Sequence, residues 1–220
     1  MKLECITIGV LNHNNDIFDK YVAKSLDTLK GNYELIIEQN KRPAEAYNSI
    51  INRSKNKYII LLHADVLFNS NFISCVNKSI KKYPDFGAMG ILGVKKPLFR
   101  KLQYIEANEQ KMYEVSTLEP SCILINNKHD LIFDNINFDE YHLHVEDYCT
   151  QVRKIKKLNI YTMLINTFIT QSSSFDVKNI CGDYFVHYNN TFSMQGARWG
   201  NWLKYKKILD NKWGEKVLTT

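Results

Sequence analysis

The sequence predicts an α/β fold in which a mostly parallel sheet is flanked by helices within a single domain. Three observations predict it. Short apolar runs alternate with amphipathic stretches through the first third of the chain, the order that builds parallel strands joined by crossover helices. Polar residues follow the buried runs directly, where an open parallel sheet presents its ligand site. The 220 residues are 45% hydrophobic, enough for one substantial core, and no repeat or low-complexity tract interrupts them.

Ile6 to Leu11 is the first strand. Asp16 can cap a helix over Ile17 to Leu29, whose Ile17, Tyr21, Leu26 and Leu29 share a broad face, and Gly31 ends it. Tyr33 to Ile37 is the second strand, Ala44 to Ser54 a helix, and Tyr58 to Leu62 a fully buried third strand. Asn71 to Lys82 reads as a helix stopped before Pro84, and Gly87 to Val94 as one further strand. Lys95 to Glu119 is irregular, with strand-like pieces at Leu98 to Tyr104 and Tyr113 to Thr117 that suit an accessory ribbon over a cleft. Ser121 to Ile125 returns to the core, Val145 to Leu158 is helical, and Ile160 to Ile165 is a strand. The tail from Thr191 to Trp213 reads as one amphipathic helix or two short ones, with Trp199, Trp202, Leu203, Lys206 and Trp213 at helical spacing. Residues 1–94 and 95–190 then form two halves of one domain and 191–220 a helical tail.

Composition narrows the partners. The net charge of +6 is spread along the chain and by itself suits an anionic small ligand, an acidic membrane surface or nucleic acid. No RNP-like, zinc-finger or helix-turn-helix signal accompanies it, so no nucleic-acid partner is expected. No apolar run reaches the roughly 18 residues of a membrane span, and MKLECITIGVLNH makes a poor secretory signal. Cys5, Cys75, Cys122, Cys149 and Cys181 are widely spaced without a CxxC pair, which favours buried reduced thiols and a cytoplasmic setting.

Two segments carry candidate chemistry. In KYIILLHAD, Asp65 emerges at the end of a buried strand and His63 points to the same side. A carboxylate there can hold Mg²⁺ or Mn²⁺ whose coordination a bound diphosphate completes; a plain helix-capping Asp is the competing reading. In FDEYHLHVEDYCTQVRK, Glu146 and Asp147 stand at a helix N-terminus, where partial positive charge stabilises carboxylates. Ordinary capping competes there too.

Taken together, AEAYNSIINRSKNKYIILLHADV resembles the signature of family 2 glycosyltransferases of the GT-A fold, in the branch that reads His-x-Asp-Val in place of a full DXD metal motif. The Phe138-Asp139-Glu140 stretch and the Glu146-Asp147 pair followed by Arg153 are similar to the second block of that family. The resemblance implies a GT-A, Rossmann-like single domain and an inverting transfer of a sugar from a nucleotide-sugar, a UDP-sugar being favoured, to a glycan or lipid-linked saccharide of a cell-surface polymer. It implies that Asp65, with His63, holds the metal, that Asp147 is the general base and that Glu146 is its neighbour. A lipid-linked acceptor would bring the protein to the inner face of a membrane.

The same resemblance puts the nucleotide and ribose near Asn12, Glu38, Gln39, Arg42, Asn48 and Ala64, and a metal- or diphosphate-facing loop at Gln171 in the stretch Thr170 to Ser174. Turn-forming polarity explains many of these residues equally well. His187 lies further on and reaches the metal only if the chain folds back. A non-catalytic carbohydrate- or partner-binding module of the same fold and a sugar-1-phosphate nucleotidyltransferase are the alternatives. The second would want a Gly-rich basic loop after the first strand, and LNHNND supplies none.

Overall fold

Every residue of β1 (Ile6–Asn12) is buried, and the strand accordingly sits inside a sheet covered on both faces. The computed structural model describes residues 4–95, 102–170, 182–188 and 197–220. After β1 comes a broken helix: α1 (Asn15–Phe18), a π-helical turn (Asp19–Ala23) and α2 (Lys24–Thr28). Its N-cap is Asn14, whose side chain accepts from the Ile17 amide at 3.2 Å, and not Asp16, which lies inside the first turn. β2 (Tyr33–Gln39) leads to α3 (Pro43–Arg53), begun by a proline that needs no N–H partner there.

β3 (Tyr58–His63), β4 (Val66–Phe68) and α4 (Phe72–Lys82) follow. The single strand predicted from Gly87 to Val94 is two, β5 (Ala88–Gly90) and β6 (Leu92–Lys95), which break at Ile91 and enter different sheets. β7 (Gln103–Glu106), β8 (Glu114–Val115), β9 (Thr117–Leu118) and β10 (Cys122–Asn126) lead through a 3-10 turn to α5 (His144–Lys154). β11 (Ile160–Thr162), β12 (Asn166–Thr170), β13 (Tyr184–Tyr188) and α6 (Ala197–Trp213) complete the order. The predicted strand at Ile160 to Ile165 thus ends early at Thr162.

The central sheet has seven strands in the order β2-β1-β3-β10-β5-β11-β8. β1 pairs in parallel with β2 and β3, β11 in parallel with β5, and β10 runs against both β3 and β5. β8 runs against β11, so five of the seven strands point the same way and the sheet is mainly parallel in strand direction, as the alternating pattern predicts. Smaller sheets β12-β13-β4 and β7-β6-β9 flank it; of the expected ribbon pieces, Leu98 to Tyr104 overlaps β7 only at its end, and Tyr113 to Thr117 is divided between β8 in the central sheet and β9 in the small one. Residues 96–101, part of that predicted ribbon, lie outside the described ones.

Alternating residues feed two cores. Ile8, Val10, Ile60 and Leu62 pack with Phe72, Val76 and Ile80 of α4 on one face, while Leu11, Ile59 and Leu61 pack with Tyr47 and Ile50 of α3 and Tyr148 and Val152 of α5 on the other. Each such side chain contributes about 1.5–3 kcal/mol by leaving water. α5 lies so near the sheet that a Cβ on Gly87 would stand 2.1 Å from Val152 Cγ1. α6 closes the molecule on the loop before α5, through Phe138, Leu143, Tyr205, Leu209 and Val217. Cys75, Cys122 and Cys149 are buried free thiols as expected, but Cys5 is exposed, and Cys181 lies outside the described residues. No described helix is long and apolar enough to cross a membrane.

Candidate functional site

The register Leu11↔His63 and Asn12↔Gln39 brings the ends of β1, β2 and β3 to one edge of the sheet. His63 ends β3 there, and the chain turns through Ala64 and Asp65. β13 then pairs antiparallel with β4, setting His187 opposite Val66, and the Tyr188 amide donates to the Asp65 carbonyl at 3.0 Å. A sequence-distant strand, rather than a loop folding back, thereby delivers His187 to Asp65. His63, Asp65 and His187 offer ligand atoms that all lie within 4.8 Å of one another.

Both nitrogens of His187 face carboxylates: Nε2 is 3.5 Å from Asp65 Oδ1 and Nδ1 is 3.6 Å from Glu119 Oε1. Burial alone would lower its pKa, but Glu119 and Asp65 outweigh it and hold the pKa above the ordinary value. His63 moves the other way, pushed down chiefly by burial, so its ring is neutral and can ligate. Glu119 was not singled out by any sequence pattern. Its Oε2 accepts from both the amide and the hydroxyl of Ser121, which turns Oε1 toward His187.

The three residues fit a divalent ion. Bonds of about 2.1 Å separate ligand atoms by about 3 to 4.2 Å, so only a small tightening is required. His63 Nε2 is buried and has no hydrogen-bond partner among the described residues, the condition expected of a ligand position. Two imidazoles with one carboxylate favour Mn²⁺ over Mg²⁺, which prefers an all-oxygen shell. Gln171, the third metal candidate, lies outside the described residues.

α5 begins without a side-chain cap after Leu143, which holds φ +61, a left-handed conformation rare for a branched side chain. Burial of Leu143 against Phe138 and α6 sustains it. The acidic pair that follows diverges. Asp147 is fully buried: Trp213 Nε1 donates to Oδ1 at 2.8 Å, Gln151 Nε2 to Oδ2 at 2.9 Å, and Lys212 Nζ lies 2.8 and 2.9 Å from the two oxygens. Both oxygens are committed to α6 and to Gln151, a poor arrangement for the base expected there. Glu146 is turned elsewhere. Burial raises its pKa to about 7, the nearby charge of Glu119 adds to the rise, and Thr220 donates its hydroxyl to Oε1 at 3.0 Å. Glu119 therefore acts electrostatically on both His187 and Glu146.

His144, the first residue of α5, is buried beside Tyr47 and Phe133. Burial, with the neighbouring His63 and His142, drives its pKa to about 3, and its ring lies 5.7 Å from that of Tyr47. Neither His144 nitrogen nor the Tyr47 hydroxyl has a hydrogen-bond partner among the described residues.

The candidate nucleotide contacts have other occupations. Asn12 shapes the turn after β1, accepting from the Asn14 amide at 3.0 Å and donating to Asn15 at 2.8 Å. Gln39 donates to the same Asn15 oxygen at 3.0 Å. Glu38 is buried under Lys41 at 2.8 Å and Arg53 at 2.5 Å, with Ser49 donating at 2.6 Å; these partners outweigh desolvation and keep its pKa low. Arg42 pairs with Asp139 at 2.5 Å, and Asn48 exchanges two 2.8 Å bonds with the Phe133 backbone. Ala64 is fully buried between the two metal candidates. Asn12, Gln39, His63 and Asp65 share the edge, while Asn48 fastens the loop before α5.

No protein-family model matches the chain, and no curated protein matches it in sequence. Solved structures match in fold. GalNAc-T7, titled with UDP, GalNAc and Mn²⁺, aligns with a TM-score of 0.57 at 8% identity, over 84% of this chain and 44% of that one. S. aureus TarS in complex with UDP-GlcNAc aligns with a TM-score of 0.53 at 12% identity, over 100% of this chain and 68% of that one. These are GT-A glycosyltransferases, and the likeness shows that this chain has their fold. The chain spans 44% of the length of that GalNAc-T7 structure and 35% to 68% of the lengths of four TarS structures.

Proposed function

We propose that the protein is an inverting, Mn²⁺-dependent glycosyltransferase that moves a sugar from a UDP-sugar to a hydroxyl of a glycan or lipid-linked saccharide. One observation carries the reading: His63, Asp65 and His187 converge at the carboxyl edge of a GT-A sheet, where an open parallel sheet binds its ligand. The nucleotide-sugar complexes of the fold neighbours support the choice of donor.

His63, Asp65 and His187 would hold the ion, which supplies positive charge to the departing diphosphate. Glu119 keeps His187 oriented with Nε2 toward Asp65. Glu146 accepts the proton of the acceptor hydroxyl as the new bond to the anomeric carbon forms and the bond to the diphosphate oxygen breaks. Its pKa near 7 matches that duty better than an ordinary carboxylate, and attack opposite the leaving group inverts the sugar. Asp147 positions this helix start by tying it to Lys212 and Trp213.

Thermal unfolding with a panel of nucleotide sugars, with and without Mn²⁺, followed by donor hydrolysis and transfer assays, tests the reading. A UDP-sugar is expected to raise the melting temperature only with Mn²⁺, and Glu146→Gln to bind it while losing transfer. Metal-dependent binding without any hydrolysis of any donor points instead to the non-catalytic module.

A further inference from the structure

The metal trio and Glu146 leave one set of buried polar atoms unused. The Tyr47 hydroxyl and both nitrogens of His144 have no hydrogen-bond partner among the described residues, although Tyr47 is 0% and His144 1% exposed. Nearly all such atoms are paired in native proteins, because leaving one unpaired costs about 1–3 kcal/mol. Packing does not ask for them. The ring of Phe133 lies 5.2 Å from that of Tyr47 and 6.1 Å from that of His144, so apolar rings would serve this contact equally well.

The topology sets the pair beside His63. α3 follows β2 and returns along the sheet, so Tyr47, one turn from the helix start at Pro43, stands near the carboxyl edge. β10 runs against both β3 and β5, and β11 is parallel to β5, so β11 points as β3 does. α5 leads into β11 and therefore starts, with His144, at the same edge. Side chains alternate along β3: Ile59 and Leu61 face α3 and α5, and His63, two residues on, faces them too. Electrostatics agrees, since the Tyr47 pKa is raised by burial and further by Glu119, Tyr141 and Asp65. His63 is only partly buried and Tyr141 is exposed, so the pair lies just beneath groups that reach solvent.

The pair also selects the chemistry of its ligand. A phenol hydroxyl donates and accepts, and a neutral imidazole donates at one nitrogen and accepts at the other. Sugar hydroxyls, uncharged and each both donor and acceptor, match this set. The acids Glu119 and Asp65 nearby disfavour a bare phosphate or carboxylate, and the three aromatic rings supply the apolar lining usual in such pockets.

We infer that Tyr47 and His144 bind hydroxyl groups of the donor's sugar and decide which sugar is accepted. The inference rests on the transfer reaction proposed above and deepens it: the trio takes the diphosphate, and the pair takes the ring attached to it. A site built to hydrogen-bond a hydroxyl discriminates strongly against an analogue lacking it there, because the site's own polar atoms then stay unpaired.

Isothermal titration with UDP, UDP-glucose, UDP-galactose, UDP-GlcNAc and UDP-GalNAc, each with Mn²⁺, tests it on the parent protein, Tyr47→Phe and His144→Leu. The parent is expected to favour one sugar nucleotide over its epimer. Tyr47→Phe should weaken that one by about tenfold or more, leave UDP within about twofold, and keep the melting temperature, since it deletes only an unpartnered hydroxyl. His144→Leu should act in the same direction; if it unfolds, Tyr47→Phe decides alone. Equal losses for UDP and the sugar nucleotides, no loss, or a parent that does not discriminate among the sugars overturns the inference and leaves the transferase reading standing. A lower melting temperature for Tyr47→Phe with its sugar preference unchanged assigns the hydroxyl to a buried water and overturns it too. If the parent shows no Mn²⁺-dependent UDP binding, both readings fall.

Discussion

His187 has a carboxylate opposite each ring nitrogen, and this makes the trio sensitive to a residue outside it. Glu119→Gln is expected to lower Mn²⁺ affinity by about 10- to 100-fold without removing a ligand, whereas His187→Ala should abolish metal-dependent stabilisation; isothermal titration checks both. Glu146 gives a pH signature. Its folded pKa of about 7 exceeds the ordinary 4.5, so the fold favours its protonated form. The associated stability is fully present below about pH 4.5 and is lost as pH rises through about 7, at an order of ~3 kcal/mol. Glu146→Gln should therefore raise the urea midpoint at pH 8 and leave it nearly unchanged at pH 4.5, while transfer by the parent protein should rise with pH through about 7. His144 has the opposite sign: with a folded pKa of about 3, its contribution is present above about 6.5 and is lost as pH falls toward 3.

At the scale of elements, α5 is gripped from two sides, by the sheet at Gly87 and by α6 at Asp147. Gly87→Ala places a methyl against Val152 and Leu158, and should cost about 1–3 kcal/mol in urea unfolding as α5 shifts outward. Asp147→Asn leaves Lys212 facing a neutral amide and weakens the Trp213 bond. Its expected result is faster hydrogen exchange in α6 and a loss of about 1–3 kcal/mol, with Mn²⁺ binding retained. Helices α3 and α4 and strand β3 were legible to within a residue or two because apolar periodicity is a local signal. The split at Ile91 was not legible: Gly87 to Val94 is uniformly apolar, and only the partners waiting in two different sheets divide it.

At the scale of the whole molecule, the trio joins β3 to β13 across more than half the chain. Ligation there should act as a clasp. Saturation with UDP and Mn²⁺ at about one hundred times the dissociation constant is expected to stabilise the native state by about 2.7 kcal/mol, read as a raised melting temperature, and to do nothing in His63→Ala.

The order of apolar and polar residues by itself determined the α/β class, the buried third strand, the placement of His63 and Asp65 at its end and the acidic start of α5. These follow from periods and punctuation that act over a few residues. Only the tertiary structure decided that His187 completes the trio, that Glu119 stands behind it, and that Glu146 and Asp147 look in different directions. Strand pairing across 120 residues and the docking of α6 set those outcomes, and neither leaves a periodic mark on the chain.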